Sequence, residues 1–206
     1  MKACRPLGVD SSPMKDCLVG QRICRRLVLL TYPTFFWRAA LLRLRGAKIG
    51  RGTRISPRTV ATWPHQIRLG DNCVLQPDIF FNYDHFWTPG PSMIFGQRVF
   101  IGRGVEFNIR GRMEVGDDTQ IASHCVFVDH DHGMRFDVPM NMQAIRPEPI
   151  TIGRNARIGA RTVVLKGIEV GECAVIRAGS VLTRSVPAGE VWAGVPARPV
   201  HTAAAQ

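Results

Sequence analysis

Asp129-His130-Asp131-His132-Gly133 places four groups able to accept or donate a proton side by side. A neutral imidazole can take a proton near neutral pH, because the unperturbed pKa of histidine is about 6.5. Such an imidazole suits general acid–base catalysis. Asp129 or Asp131 could orient an imidazole through its Nδ1–H, although adjacency in sequence does not establish that geometry. Two other chemistries stay open for the same residues. His124, His130 and His132, with His85 upstream, are available as zinc ligands. An Asp-His-Asp-His run can also be a solvated polar turn.

The elements that would position these groups are written as a repeat. Aliphatic or aromatic residues recur at every sixth position, most clearly in Ile152, Ile158, Val164, Val170, Ile176 and Leu182. Val115, Ile121 and Phe127 form a second run, and Phe95, Ile101 and Phe107 a third; Ile49 with Ile55 and Leu69 with Leu75 are fragments of it. The next residue is often glycine, as at Gly70, Gly116 and Gly153, which accepts turn dihedrals that other residues resist. Three positions further on a small residue returns, as at Thr53, Cys73, Thr119 and Ala174. A short strand plus a sharp turn takes six residues, and three such units close a coil of about eighteen residues. Neither the 3.6-residue helical period nor the two-residue strand period fits residues 152–182. The expected fold is therefore an all-β solenoid, a parallel β-helix whose coils hide their core only by stacking on one another.

Two segments break the period. Residues 76–93 carry Pro77, Pro89 and Pro91 among Phe80, Phe81, Tyr83, Phe86 and Trp87, and are expected to cover exposed core or make subunit contacts. Residues 131–149 carry three prolines and three methionines. Following directly on the histidine-rich stretch, they are expected to be an extruded loop with a functional role. Before the repeat, residues 1–14 read as an irregular arm and Asp16 to about Leu44 as helical, split in two by Pro33. Those helices would pack on the main domain, or their apolar and Arg-rich faces would meet a membrane surface. The expected organisation is an N-terminal arm and helical segment over 1–45, the solenoid over 46–200 and a short tail over 201–206.

Composition limits the alternatives. An apolar fraction of 45% is that of a soluble globular protein. The formal net charge is +11, with cations placed all the way from Lys2 to Arg198, and a basic surface attracts anions of any kind. There is no basic tail, zinc-finger spacing or aromatic-basic motif, so nucleic acid is not an expected partner. The six cysteines include no CxxC pair and read as reduced thiols of a cytosolic protein, with Cys73 and Cys173 at small-residue positions of the repeat. The apolar run Leu27–Leu30 is short and follows Arg22, Arg25 and Arg26, and no run approaches the length of a membrane span.

Three stretches together resemble the hexapeptide-repeat acyltransferases of the galactoside, maltose and xenobiotic acetyltransferase group. They also look like acetyltransferases of colanic acid or lipopolysaccharide biosynthesis. One is Val128-Asp129-His130-Asp131-His132-Gly133, another the run from Ile150 to Ala160. The last runs from Ala178 to Thr183 and on to Ala193-Gly194-Val195-Pro196-Ala197. The resemblance covers roughly residues 46–200. It implies a left-handed β-helix, a homotrimer with sites between neighbouring subunits, and acetyl-CoA as donor. It carries the base onto His130, with His132 as rival, and the oxyanion-binding backbone N–H onto Ala160. Asn108 loosely matches the acceptor-pocket asparagine, and Asp129 falls on the same side. On the cofactor side Gly159, Ala160, Ala178 and Gly179 would let the pantetheine arm approach the backbone, Lys166, Arg184 and Arg198 would meet phosphates, and Trp192 would stack on adenine. No metal is expected under this resemblance. A zinc enzyme of the carbonic-anhydrase type on the same fold would carry a histidine pair five apart, which is missing here. The acceptor is expected to be a glycan hydroxyl, with an amino sugar as the variant; a non-catalytic scaffold is the remaining alternative.

Overall fold

The six-residue spacing becomes a three-sided coil in the computed structural model, which describes residues 35–200. The first face holds six parallel strands: Lys48–Ile49, Ile67–Leu69, Met93–Phe95, Met113–Val115, Ile150–Ile152 and Glu169–Val170. The second begins with Arg54–Ile55 and ends with Val175–Ile176, followed by the antiparallel hairpin Val191–Gly194 and Ala197–Pro199. The third runs Val60–Ala61, Phe80–Tyr83, Glu106–Ile109, Val126–Val128, Val163–Val164 and Val181–Leu182. The chain is thus a left-handed parallel β-helix of hexapeptide repeats.

Every sixth residue points inward and stacks on its counterpart one coil away. On the second face Ile101 pairs with Ile121, Ile121 with Ile158 and Ile158 with Ile176, and all four are buried. On the third face the equivalents are Phe81, Phe107 and Phe127, whose rings stack with centroids 5.0 and 5.1 Å apart. Phe95 meets Phe107 edge-on from the first face at 5.2 Å. These aromatics fill the middle of the prism and add ring–ring attraction to the area they bury.

The glycine after the aliphatic position has a different cause from the one expected. Gly70, Gly116 and Gly153 do not sit at positive φ. A Cβ on Gly70 would lie 2.4 Å from the carbonyl oxygen of Gly96, and one on Gly153 2.6 Å from the amide nitrogen of Glu172. The missing side chain lets one coil's backbone rest on the next. The left-handed turn residue comes two positions later and is often not glycine: Asn72, Asp118, Asn155 and Arg161 all take φ between 52° and 60°. The small inward residue then follows and satisfies a corner carbonyl: Thr119 Oγ1 donates to Gly153 O at 2.8 Å and Cys125 Sγ to Gly159 O at 3.1 Å. Cys73 is buried at such a position, whereas Cys173 stands at the left-handed corner and is half-buried.

The first break in the period is shorter than expected. Phe80–Tyr83 and Met93–Phe95 are strands in register, and Phe81 is core. Only residues 84–92 leave the coil. They fold back through Thr88, whose carbonyl accepts from Gln66 Nε2 at 2.7 Å and whose hydroxyl lies 2.8 Å from the Tyr83 hydroxyl. The second break holds: residues 132–145 extend beyond a neck formed by His130–Asp131 against Arg146–Pro147. The helix Phe35–Leu44 packs through buried Ala39 and half-buried Leu42 onto the first coil. The expected arm, and the helix before Pro33, lie outside the described residues.

Candidate active site

Sheet register brings the chemistry-bearing side chains together at the exit of the third face. Asn82, Asn108 and Val128 are neighbours in successive coils, so the residues just beyond them, Asp84, Arg110 and His130, gather at one corner. Asp129 is fully buried. Its Oδ1 accepts the Arg110 N–H at 2.8 Å and its Oδ2 the Gly111 N–H at 2.7 Å. A Cβ at Gly111 would crowd this contact, lying 3.2 Å from that second oxygen and 3.0 Å from Pro147. Oδ1 also faces Nδ1 of His130 at 2.9 Å.

An ionised carboxylate can only accept, so this contact favours the neutral tautomer with its proton on Nδ1 and its lone pair on Nε2. His130 is buried, at 6% exposure. Nε2 lies 3.4 Å from Asp84 Oδ2, which is paired with Arg110 Nη1 at 3.2 Å. Asp84 escaped the sequence reading because it fell inside the expected break at residues 76–93, and Arg110 because nothing local in the sequence marks it. With the strand extended to Tyr83, both stand just past the ends of aligned strands. Asn108 is half-buried on the outer side and accepts from Asn82 Nδ2 at 2.9 Å.

His132 lies in the extruded loop, exposed, its ring centroid 6.2 Å from that of His130. It lines a concavity under the loop with Met134, Arg135, Met142 and Gln143, and no carboxylate orients its ring among the described residues. His124 stands at the opposite corner of the third face at φ 59°. Among the described residues no group of three His, Cys, Asp or Glu side chains could hold a metal ion.

The cofactor-side residues divide into three groups. Ala160, Ala178 and Gly179 lie on the corner between the second and third faces, with Gly179 N–H donating to Ala160 O at 2.8 Å. The N–H of Ala160 is left unpaired by the ladder among the described residues, and a Cβ added at Gly179 would meet nothing within 4 Å. This ledge of small residues is open to an extended ligand such as a pantetheine arm. Gly159 does not belong to it: its Cα faces the next coil, where a Cβ would lie 2.4 Å from Ala178 N. Trp192 is no adenine platform either. It occupies an inward position in register with Ile176, is 7% exposed, and donates its Nε1–H to Glu190.

Lys166 is at the other corner and already neutralised. Its Nζ is 2.8 Å from Glu148 and 3.3 Å from Asp131, and the Glu148 hydrogen bond holds its pKa above the ordinary lysine value. Through these pairs it ties residues flanking the neck of the loop together. Arg184 and Arg198 are exposed.

Within one chain, His130 and Ala160 stand at opposite ends of the same face. In register, Ala160 is level with Ser123, and residues 125–129, which include the strand Val126–Val128, lie between His124 and His130. At about 3.3 Å per residue for extended chain, those five residues span roughly 15 Å. A single chain therefore holds the two halves of the expected site apart.

The family described as the hexapeptide repeat of succinyl-transferase matches residues 149–184. Galactoside O-acetyltransferase of Escherichia coli (strain K12) is 30% identical over 139 residues, spanning 65% of this chain and 62% of that enzyme. The chain thus covers less than two-thirds of that relative. An Escherichia coli (strain K12) acetyltransferase named for colanic acid biosynthesis, WcaF, is 29% identical over 78% of this chain and 72% of its own length. Among solved structures, an N-acyltransferase from Bacillus cereus in complex with dTDP and 3-hydroxybutyryl-CoA superimposes with a TM-score of 0.67 at 18% identity. It covers 79% of this chain and 86% of that one. A galactoside acetyltransferase in complex with coenzyme A gives 0.58 at 24% identity, over 80% and 68%. These two likenesses are likenesses of fold.

Proposed function

We propose that this hexapeptide-repeat chain, similar in sequence to acetyltransferases, moves an acetyl group from acetyl-CoA to a hydroxyl of a sugar or polysaccharide precursor. The observation that carries this reading is the Asp129–His130 pair: a buried carboxylate, itself anchored by two backbone N–H groups, holds an imidazole in the tautomer that frees Nε2. Nε2 takes the proton of the acceptor hydroxyl as its oxygen bonds to the thioester carbonyl carbon. The C–S bond then breaks, and the imidazolium returns the proton to the departing thiolate. A direct transfer in a ternary complex needs no acyl-enzyme.

The carbonyl oxygen gathers charge during attack and needs a fixed donor. The N–H of Ala160 suits this role, but not in the chain that supplies His130. A neighbouring copy has to bring its small-residue corner against the first copy's histidine corner, which a homotrimer does three times over. The residues fit the donor on that ledge, where Ala178 and Gly179 leave its backbone open. Arg184 and Arg198 remain as phosphate partners. The setting of this chemistry would be the cytoplasm, where acetyl-CoA is supplied.

Asp84 favours a second reading. A carboxylate 3.4 Å from Nε2 would also attract an ammonium group, so N-acylation of an amino sugar fits the same corner. A screen of sugars and amino sugars, scored by release of the CoA thiol, separates the two. His130→Ala is expected to lower turnover of the best acceptor by at least about 10²-fold, within the range of general-base loss, while His132→Ala retains it. Full activity in His130→Ala would refute the assignment.

A further inference from the structure

Taken by position, the charge is not spread along the chain. Between Cys17 and Gly70 there is no Asp or Glu, while Arg and Lys together number eleven. The formal net charge of the whole protein is +11, so this one stretch accounts for all of it, and the sixteen remaining cations are matched by the sixteen acids. In the described part of the stretch, Arg45, Lys48, Arg51, Arg54 and Arg68 are exposed on or beside the first coils. Arg43 is engaged elsewhere, since its guanidinium donates to the Ile49 and Gly50 carbonyls at 2.9 Å and closes backbone groups of the first coil.

The helix that caps this end is apolar on both sides. Ala39 and Leu42 face the coil. Trp37, Leu41 and Leu44, spaced i, i+4 and i+7 on one outer ridge, are 77%, 47% and 85% exposed. A cap that only ended a solenoid would carry a polar outer face. This one sets an apolar ridge with a tryptophan beside the exposed Arg45, Lys48, Arg51, Arg54 and Arg68.

We propose that the helix Phe35–Leu44 and the first coil form a docking face for an anionic phospholipid surface. Anionic headgroups answer the cations, and the hydrocarbon boundary takes the leucines and the amphipathic indole. Nucleic acid would answer the charge but offers the exposed leucines nothing. A second copy of the same face would bring like charges together. The inference is independent of acyl transfer, since neither His130 nor the Ala160 corner takes part.

The test is co-sedimentation of the full chain with vesicles of phosphatidylcholine alone and of phosphatidylcholine with phosphatidylglycerol, at low and high salt. Two double variants accompany it, Trp37→Ser with Leu44→Ser and Arg45→Glu with Lys48→Glu; all four side chains are exposed, and an unchanged melting temperature certifies the fold. The protein is expected to pellet with phosphatidylglycerol vesicles only, to be released by salt, and to bind at least tenfold more weakly in each variant. Absence of pelleting at low salt overturns the proposal. So does wild-type binding by the folded variants, or a preference for duplex DNA over vesicles that loss of the apolar ridge leaves intact.

Discussion

Asp129 Oδ1 lies 2.9 Å from His130 Nδ1, and the carboxylate that makes this contact is itself closed off from water and held by the N–H groups of Arg110 and Gly111. The two residues are consecutive, yet they are held differently: one is a carboxylate anchored by backbone N–H groups, the other an imidazole whose Nε2 faces Asp84 at 3.4 Å. Asp129→Asn keeps the shape but can offer Nδ1 an N–H, which favours the wrong tautomer. Turnover is expected to fall roughly 10²–10⁴-fold, by analogy with carboxylate-to-amide changes behind other catalytic histidines, with acetyl-CoA affinity unchanged. An equal loss of affinity would mean that Asp129 serves the fold and not the base.

Asp129→Ala is a different experiment. It strands two buried N–H groups and is expected to cost about 1–3 kcal/mol for each left unsatisfied. Denaturant unfolding measures it; a loss well under 1 kcal/mol would show that water replaces the carboxylate.

The solenoid and the histidine-rich corner were legible in the sequence for one reason: both follow from local spacing. A six-residue period needs only its own residues to be recognised, and the histidine stretch sits where that period stops. The side chains gathered around His130 were less visible. Asp84 and Arg110 reach it from two earlier coils, and their register shows only once Phe81 is counted as core. The settings of Gly159 and Trp192 were not legible because the repeat assigns position but not direction: one faces a neighbouring coil and the other the prism interior. The roles of glycine divide similarly, since close coil contact and left-handed turns look alike in a list of glycines.

Phe107 lies between Phe81 and Phe127 in the stack. Phe107→Ala should destabilise by about 3–5 kcal/mol, the range for large aromatic truncations in cores. Phe86→Ala, 83% exposed on residues 84–92, should change stability by under about 0.5 kcal/mol. Similar effects of the two would contradict the stacked core.

Burial pushes the Cys125 thiol up to about 11, and burial likewise raises that of Cys73. A raised thiol pKa keeps the sulfur protonated, and hence unreactive, at pH 8. Native protein treated with a disulfide reagent at that pH is expected to leave both unmodified, and to release them on unfolding. Rapid modification of either in the folded state would show that the coils open locally.

The central claim is that His130 does chemistry at a site that binds acetyl-CoA. Calorimetric titration of acetyl-CoA into the wild type and His130→Ala tests it most directly. Saturable binding to both is expected, with one site per chain and similar affinity, while only the wild type goes on to release CoA when an acceptor is supplied. Failure of both folded proteins to bind would contradict it.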